Sequence, residues 1–320
     1  MTAVTFELAR QFASRDYRSF FRHLLGRWWF LYEVFFAIGL LIVLAVCGAA
    51  AGAVLQDSFA LPALLGIALM LVIVGVLNYF GRALVEKTLT AWALAMSTVF
   101  VGFVLLTLVG RGEQIVVTFA SEHSAPGWAL SGFQFFLYNI GIAPAVLYAT
   151  GHLKTRGEAV GAGFIAGFLG VLPGLAFHTA FMGGYPQVID EPLPTYWMLQ
   201  QLGYGWLLIV YGVVLFGTIA QTGVGMLQGL NERLDVWCQE RYRRVLSRRT
   251  HSIIALAAVL VSLLLANVGI VELVAKGYGT LAWYALAVYV VPVITIGVFK
   301  LWNTRAPQAP VAGLRREADS

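Results

Sequence analysis

Apolar runs long enough to cross a lipid bilayer recur along this chain. A hydrocarbon core of about 30 Å needs roughly 20 helical residues at about 1.5 Å each. Eight such runs occur near residues 28–54, 61–81, 89–110, 127–150, 158–182, 203–228, 252–271 and 281–301. The chain is 59% hydrophobic and only 12% charged, which excludes a soluble globular domain. Because lipid cannot hydrogen-bond a bare backbone, the runs predict an all-α, polytopic membrane helix bundle: one domain of eight transmembrane helices over residues 28–301.

The positions of Lys and Arg predict how these helices are oriented. Short loops rich in these residues stay in the cytoplasm. With the amino terminus inside, nineteen of the 21 Lys and Arg residues fall on the cytoplasmic side, and Arg111 and Lys276 fall outside. We expect a partly amphipathic cytoplasmic segment over 1–27 and a disordered cytoplasmic tail over 302–320. The net charge of +5 then reflects topology and contact with the lipid bilayer, and it predicts no nucleic-acid partner.

The span over 127–150 carries polar and helix-weakening residues in its middle. Tyr138 and Asn139 are followed by Gly141 and by Pro144, which removes a backbone donor. A break in lipid costs several kcal/mol, about 2–7, unless it faces protein or a wet cavity. The pattern therefore predicts a broken helix whose exposed backbone binds a solute, with Gln134, Tyr138, Asn139 and Gly141 as solute contacts. The alternative is a proline kink in which Asn139 bonds a neighbouring helix.

A second polar group lies in the span over 203–228. Thr218, Gln221 and Thr222 share nearly one helical face, beside Gly217 and other glycines that allow close helix approach. These side chains are candidates for a cation or solute site. In the alternative interpretation, the hydroxyls bond their own backbone four residues back.

The other notable features of the spans are a run of glycines and one acidic residue. The glycines between Gly157 and Gly174 predict close helix packing. Glu33, near the start of the first span, is a candidate for proton coupling, although it could also snorkel or pair with Arg27. We expect no enzyme activity, because HExxH, GxSxG and Walker sequences are absent, and we predict no metal site.

Several segments together resemble the bacterial YkvI-type membrane proteins, which belong with the amino acid–polyamine–organocation transporters of LeuT-like fold. They are "FFRHLLGRWW", "VCGAAAGAVL", "FLYNIGIAPAVL", "GAGFIAGFLG", "GYPQVIDEPLPTYWML" and "LFGTIAQTGVGMLQGLNERL". The resemblance implies two inverted repeats of five helices and a location in the bacterial cytoplasmic (inner) membrane. It also implies that the family's first two helices are absent here, through a misplaced start, loss of function, or completion by a partner chain.

The resemblance assigns roles to the same polar residues. Tyr138, Asn139 and Gly141 would line the solute site, while Thr218 and Thr222 would line a cation site. Gln221 departs from the hydroxyl residue expected at its position. We therefore expect a secondary transporter of a small, amino-acid-like organic solute, coupled to Na⁺ or H⁺ and needing no other cofactor. The alternatives are a membrane scaffold or subunit, bound to a partner chain or a second copy, and an inactive truncated transporter.

Overall fold

The computed structural model describes residues 1–14, 16–80, 82–121, 126–191, 193–244, 246–266 and 272–303. These residues are helical almost throughout. The helices are α1 (Thr2–Gln11), α2 (Tyr17–Leu25), α3 (Phe30–Phe59), α4 (Ala63–Phe80), α5 (Arg82–Ala120), α6 (Trp128–Gly141), α7 (Arg156–Phe181), α8 (Pro194–Gln201), α9 (Gly205–Tyr242), α10 (Arg248–Ala266) and α11 (Leu273–Asn303). The predicted ends of two spans, Gly81 and residues 267–271, lie outside the described residues, as does nearly all of the predicted tail.

Five helices among the described residues are long and apolar enough to cross a membrane. They are Phe30–Gln56, Ala91–Ala120, Arg156–Gly184, Gly205–Asp235 and Leu273–Asn303. A sixth span results if α6 and the 3₁₀ segment Ala143–Thr150 are taken together. Two shorter apolar helices, Ala63–Val74 and Arg249–Ser262, coincide with further predicted runs. The chain is therefore an all-helical membrane protein with several spans.

Local sequence signals explain several helix ends. Asp16 is the N-cap of α2, and its side chain accepts a hydrogen bond of 2.8 Å from the Ser19 amide. Gly26 follows the last residue of α2 and has a positive φ of 60°. Helix α5 contains a non-helical residue, Arg111 (φ −132°, ψ 15°), next to Gly110, where the apolar run was predicted to end. The predicted end of this span was therefore wrong: the chain kinks there, but it continues as a helix to Ala120.

The described residues fall into two compact units. The first contains the described parts of Met1–Glu33, Asn139–Gly167 and Ala285–Ser320. In this unit α1 is built into the core: Leu8 is fully buried, and the Thr5 hydroxyl lies 2.6 Å from the hydroxyl of Tyr289 on α11. Gly163 of α7 lets the backbone of Ala3 approach so closely that a Cβ would overlap it. The amphipathic face predicted for the amino-terminal segment is therefore covered by protein within this unit.

The second unit contains Val34–Tyr138 and Phe168–Tyr284 and has two apolar cores. The first core joins α3, α4, α9 and α10 through residues such as Leu44, Met70 and Leu227. The second joins α5, α8 and α9 through residues such as Phe103 and Leu199. Helix α9 belongs to both cores, so its polar residues lie on an element that the two cores share.

Candidate functional site

Helix α6 is interrupted where Gly141 and Pro144 predict a break. It ends at Gly141, and the chain continues as the 3₁₀ segment Ala143–Thr150, bent by 41° from the axis of α6. Pro144 lies at the start of this segment, where its missing N–H costs nothing, because the first amides of a helix lack intrahelical partners anyway. The interruption therefore follows from the sequence.

A tyrosine side chain satisfies the backbone at this break. The hydroxyl of Tyr32, at the start of α3, donates a hydrogen bond of 2.8 Å to the carbonyl oxygen of Gly141. Both residues are buried within the first unit. The ring of Tyr32 stacks on that of Phe21, with centroids 4.1 Å apart and an interplanar angle of 18°. This contact supplies the polar partner that lipid cannot offer a freed carbonyl.

Glu33 follows Tyr32 and is held by the amino-terminal segment. Tyr17 donates a hydrogen bond of 2.8 Å to the Glu33 carboxylate, and Arg18 approaches the same oxygen at 3.8 Å. Arg27, the partner considered from the sequence, instead places its guanidinium over the Trp28 ring at 5.3 Å. The carboxylate is thus half-buried among polar groups near the start of α3, and its role in proton coupling stays a prediction.

In the second unit, α6 places Gln134 and Tyr138 against the first turns of α11. The rings of Tyr138 and Tyr278 have centroids 5.0 Å apart, inclined at 39°. A Cβ built on Gly279 would lie 3.9 Å from the side-chain nitrogen of Gln134. Tyr278 ends a π-helical segment, Leu273–Tyr278, and such segments are frequent at functional sites because their widened backbone leaves the regular hydrogen-bond ladder. We name Gln134, Tyr138, Tyr278 and Gly279 the α6–α11 cluster.

The four predicted solute contacts thus belong to two different units of the structure. Gln134 and Tyr138 belong to the α6–α11 cluster, whereas Gly141 is buried in the first unit with its carbonyl bonded to Tyr32. Asn139 is exposed. Sequence reasoning missed Tyr32, Tyr278 and Gly279, which are all distant from α6 in the sequence. The only sequence signals were tyrosines and a glycine in strongly apolar spans.

The hydroxyls of the α9 stripe donate to their own helix. Thr218 Oγ1 bonds the Val214 carbonyl at 2.8 Å and also contacts the sulfur of Met96 at 3.1 Å. Thr222 Oγ1 bonds the Thr218 carbonyl at 2.9 Å. A thioether is a poor ligand for a hard cation such as Na⁺, so the sulfur of Met96 would not contribute to binding such an ion.

A tryptophan covers this stripe from α5. The indole Nε1 of Trp92 donates to the Val214 carbonyl at 2.9 Å, and a Cβ on Gly217 would overlap the indole ring. Gly217 therefore permits the close helix approach predicted for this stripe. Gln221 and Thr222 are half-buried on the same helix. The threonine hydroxyls thus donate their protons to backbone carbonyls of α9, as the alternative interpretation from the sequence expects. Their oxygens retain lone pairs that a ligand can use.

Neither region holds a recognisable metal ligand set. Within the described ranges, no three His, Cys, Asp or Glu side chains come together in an arrangement that could bind a metal ion. The polar groups at hand are amide, phenol, hydroxyl and backbone groups, which bind neutral or zwitterionic solutes by hydrogen bonds.

The helices and these polar sites define the class of protein: an all-helical membrane protein with an interrupted helix. No protein-family model, curated protein or solved structure matches the chain.

Proposed function

We propose that this chain is a secondary transporter of a small, amino-acid-like organic solute in the bacterial cytoplasmic membrane. The single observation that supports this most is the interrupted helix α6, which places Gln134 and Tyr138 over the π-helical start of α11. Transporters bind substrates at discontinuous helices because unwound backbone offers hydrogen-bonding groups at mid-depth. In this proposal α4 and α10 complete eight spans, arranged as in the LeuT-like fold that the sequence resembles.

The proposed solute site is the α6–α11 cluster. The Gln134 amide and the two phenol hydroxyls can donate and accept hydrogen bonds, and the tyrosine rings can cover an apolar side chain or an ammonium group. Tyr32 holds the carbonyl end of the break, so the site needs no bare carbonyl of Gly141 as ligand. Glu33 is the proposed proton-coupling group, and the Thr218–Thr222 stripe is the proposed site of a coupling cation.

The test is solute-induced thermal stabilisation of the purified full chain in nanodiscs. We expect at least one member of a panel of amino acids, amines and organic acids to raise the unfolding temperature. A ligand at 100 times its dissociation constant stabilises the folded state by about 2.7 kcal/mol. Tyr138→Phe keeps the ring but removes the hydroxyl, and we expect it to weaken this response.

Tyr148→Phe is the matched control, because Tyr148 is exposed and lies outside the cluster. We expect it to respond like the original chain. Equal responses from Tyr138→Phe and the original chain would remove Tyr138 from the site. If no solute in the panel stabilised the chain, the transporter proposal would lose its support.

A subunit or scaffold role is the second candidate, favoured by α7. Gly157 and Gly161, four residues apart on one face of α7, have no other part of the described structure within 4 Å of a built Cβ, whereas Gly163 is closed by Ala3. An open small-residue face lets a second transmembrane helix approach closely. We expect Gly161→Val to dissociate any complex with a partner or second copy, while leaving thermal stability of the isolated chain unchanged. If the chain purified as a monodisperse monomer without a co-purifying protein, that result would contradict this role.

A further inference from the structure

A cavity of about 600 Å³ lies directly after the candidate span Gly205–Asp235. It is formed where α9 ends and α10 begins, and its volume is in the usual range for small ligands, about 300–1,000 Å³. The lining residues are Cys238, Tyr242, Arg244, Leu246 and Ser247. Neither the solute site nor the α9 stripe involves these residues.

The connection around the cavity is held by specific hydrogen bonds. Asp235 Oδ1 accepts the Leu246 amide at 2.9 Å and lies 2.8 Å from His251 Nε2. Arg243 ends α9 in the left-handed region, with φ 54° and ψ 32°. Because Asp235 ties both helices to the connection, the cavity is a built feature of this turn.

The charge of the lining is positive. Among the described residues that line the cavity, Arg244 is the only charged one and none carries a carboxylate. Arg249, in the first turn of α10, is also exposed, so the surroundings are basic as well. An arginine fork with tyrosine and serine hydroxyls provides the donors that a phosphate group accepts. Leu246 and the Tyr242 ring add an apolar wall beside these donors.

We propose that this cavity binds the phosphate headgroup of an anionic phospholipid. The position of the cavity next to the end of a membrane span favours a lipid over a soluble ligand, because headgroups lie at that level and basic juxtamembrane residues attract them. The proposal rests on the membrane crossing of α9 and is independent of solute transport. The site therefore anchors the α9–α10 connection at the membrane surface.

Cys238 provides a direct reporter of occupancy. The chain has two cysteines, both free; Cys238 lines the cavity, and Cys47 is buried in the first core of the second unit. The experiment measures the rate of maleimide alkylation of Cys238 in nanodiscs of phosphatidylcholine alone and of equal parts phosphatidylcholine and phosphatidylglycerol. We expect phosphatidylglycerol to slow alkylation, and Arg244→Gln to weaken that protection about five-fold. We expect Cys47 to stay unreactive in folded samples, because it is buried. If Arg244→Gln does not fold, Arg244→Ala takes its place.

Arg249→Gln is the control, because it removes the same charge from a residue that does not line the cavity. We expect it to keep the protection. Equal alkylation rates in the two lipid compositions would overturn the proposal, and so would equal losses in the Arg244 and Arg249 variants, which would indicate general surface charge. Inorganic phosphate is added to the phosphatidylcholine sample as a further arm. Protection by phosphate equal to that by phosphatidylglycerol would exclude a lipid-specific site in favour of a soluble anion.

Discussion

The break in α6 and the polar stripe on α9 both place hydrogen-bonding groups within apolar spans, but they satisfy them differently. At the break, the Gly141 carbonyl is bonded by Tyr32, which is 109 residues earlier in the chain. On α9, Thr218 and Thr222 each donate to a carbonyl four residues back in the same helix. The first arrangement depends on tertiary structure, whereas the second would persist in an isolated helix.

This difference shows which polar groups determine the fold and which remain available to a ligand. A bond between distant elements is lost if either element moves, so Tyr32 links the start of α3 to the break. A hydroxyl bonded to its own helix contributes little to tertiary structure, since the carbonyl it contacts already accepts a backbone amide. Within the first unit, the bond between the hydroxyls of Thr5 and Tyr289 is a second contact of this tertiary kind.

The largest effect is expected for the buried ion pair of α1. Arg10 donates to both oxygens of Glu7, at 2.8 and 2.7 Å, and Glu7 is 5% exposed. Hydrogen bonding to the Glu7 carboxylate raises the pKa of the Arg10 guanidinium. We expect Arg10→Met to lower the free energy of unfolding by about 3 kcal/mol, because it leaves a buried carboxylate without its counter-ion.

Denaturant unfolding followed by tryptophan fluorescence measures this change. The control is the double variant Glu7→Gln with Arg10→Met, which removes both charges and should regain most of the lost stability. If the double variant were no more stable than Arg10→Met, the loss would come from packing by the arginine stem and not from the unpaired carboxylate.

A smaller effect is expected at the break itself. Tyr32→Phe keeps the ring that stacks on Phe21 but removes the donor to the Gly141 carbonyl. Leaving this buried acceptor without a partner costs about 1–3 kcal/mol, and thermal unfolding in nanodiscs measures the loss. Tyr148→Phe, at an exposed tyrosine of the 3₁₀ segment, is the control and should be neutral. A neutral Tyr32→Phe would mean that another group, such as water, can satisfy the carbonyl.

The sequence predicted the features that depend on local chemistry. Apolar runs placed the main helices, because an apolar run must be helical to cross lipid. Gly141 and Pro144 located the break, since proline lacks the N–H that an α-helix needs. The alternative of hydroxyl-to-backbone bonding on α9 was also stated from the sequence, because threonine can reach the carbonyl four residues back in any helix.

The remaining features depend on contacts between distant segments, which no local pattern encodes. Tyr32 carries no sign that it will bond Gly141, and Trp92 carries no sign that it will cover Gly217. The π-helical turns of α11 likewise cannot be inferred from composition, because a single widened turn leaves the apolar pattern intact. The division of the predicted solute contacts between two units could therefore be learned only from the structure.

The smallest effect is expected for Thr222→Val, which separates stability from ligand binding on α9. Valine matches threonine in shape and helix propensity, and the lost hydroxyl bonded only its own backbone, so we expect a change below about 0.5 kcal/mol. Thr5→Val is the matched comparison: its hydroxyl bonds Tyr289 in another element, and its loss should cost about 1 kcal/mol. Thermal unfolding with and without Na⁺ measures both variants. Loss of a Na⁺-dependent stabilisation in Thr222→Val alone would show that the stripe binds the ion, because no fold contact would have been removed. Equal destabilisation by both variants would instead contradict the distinction between tertiary and local bonding.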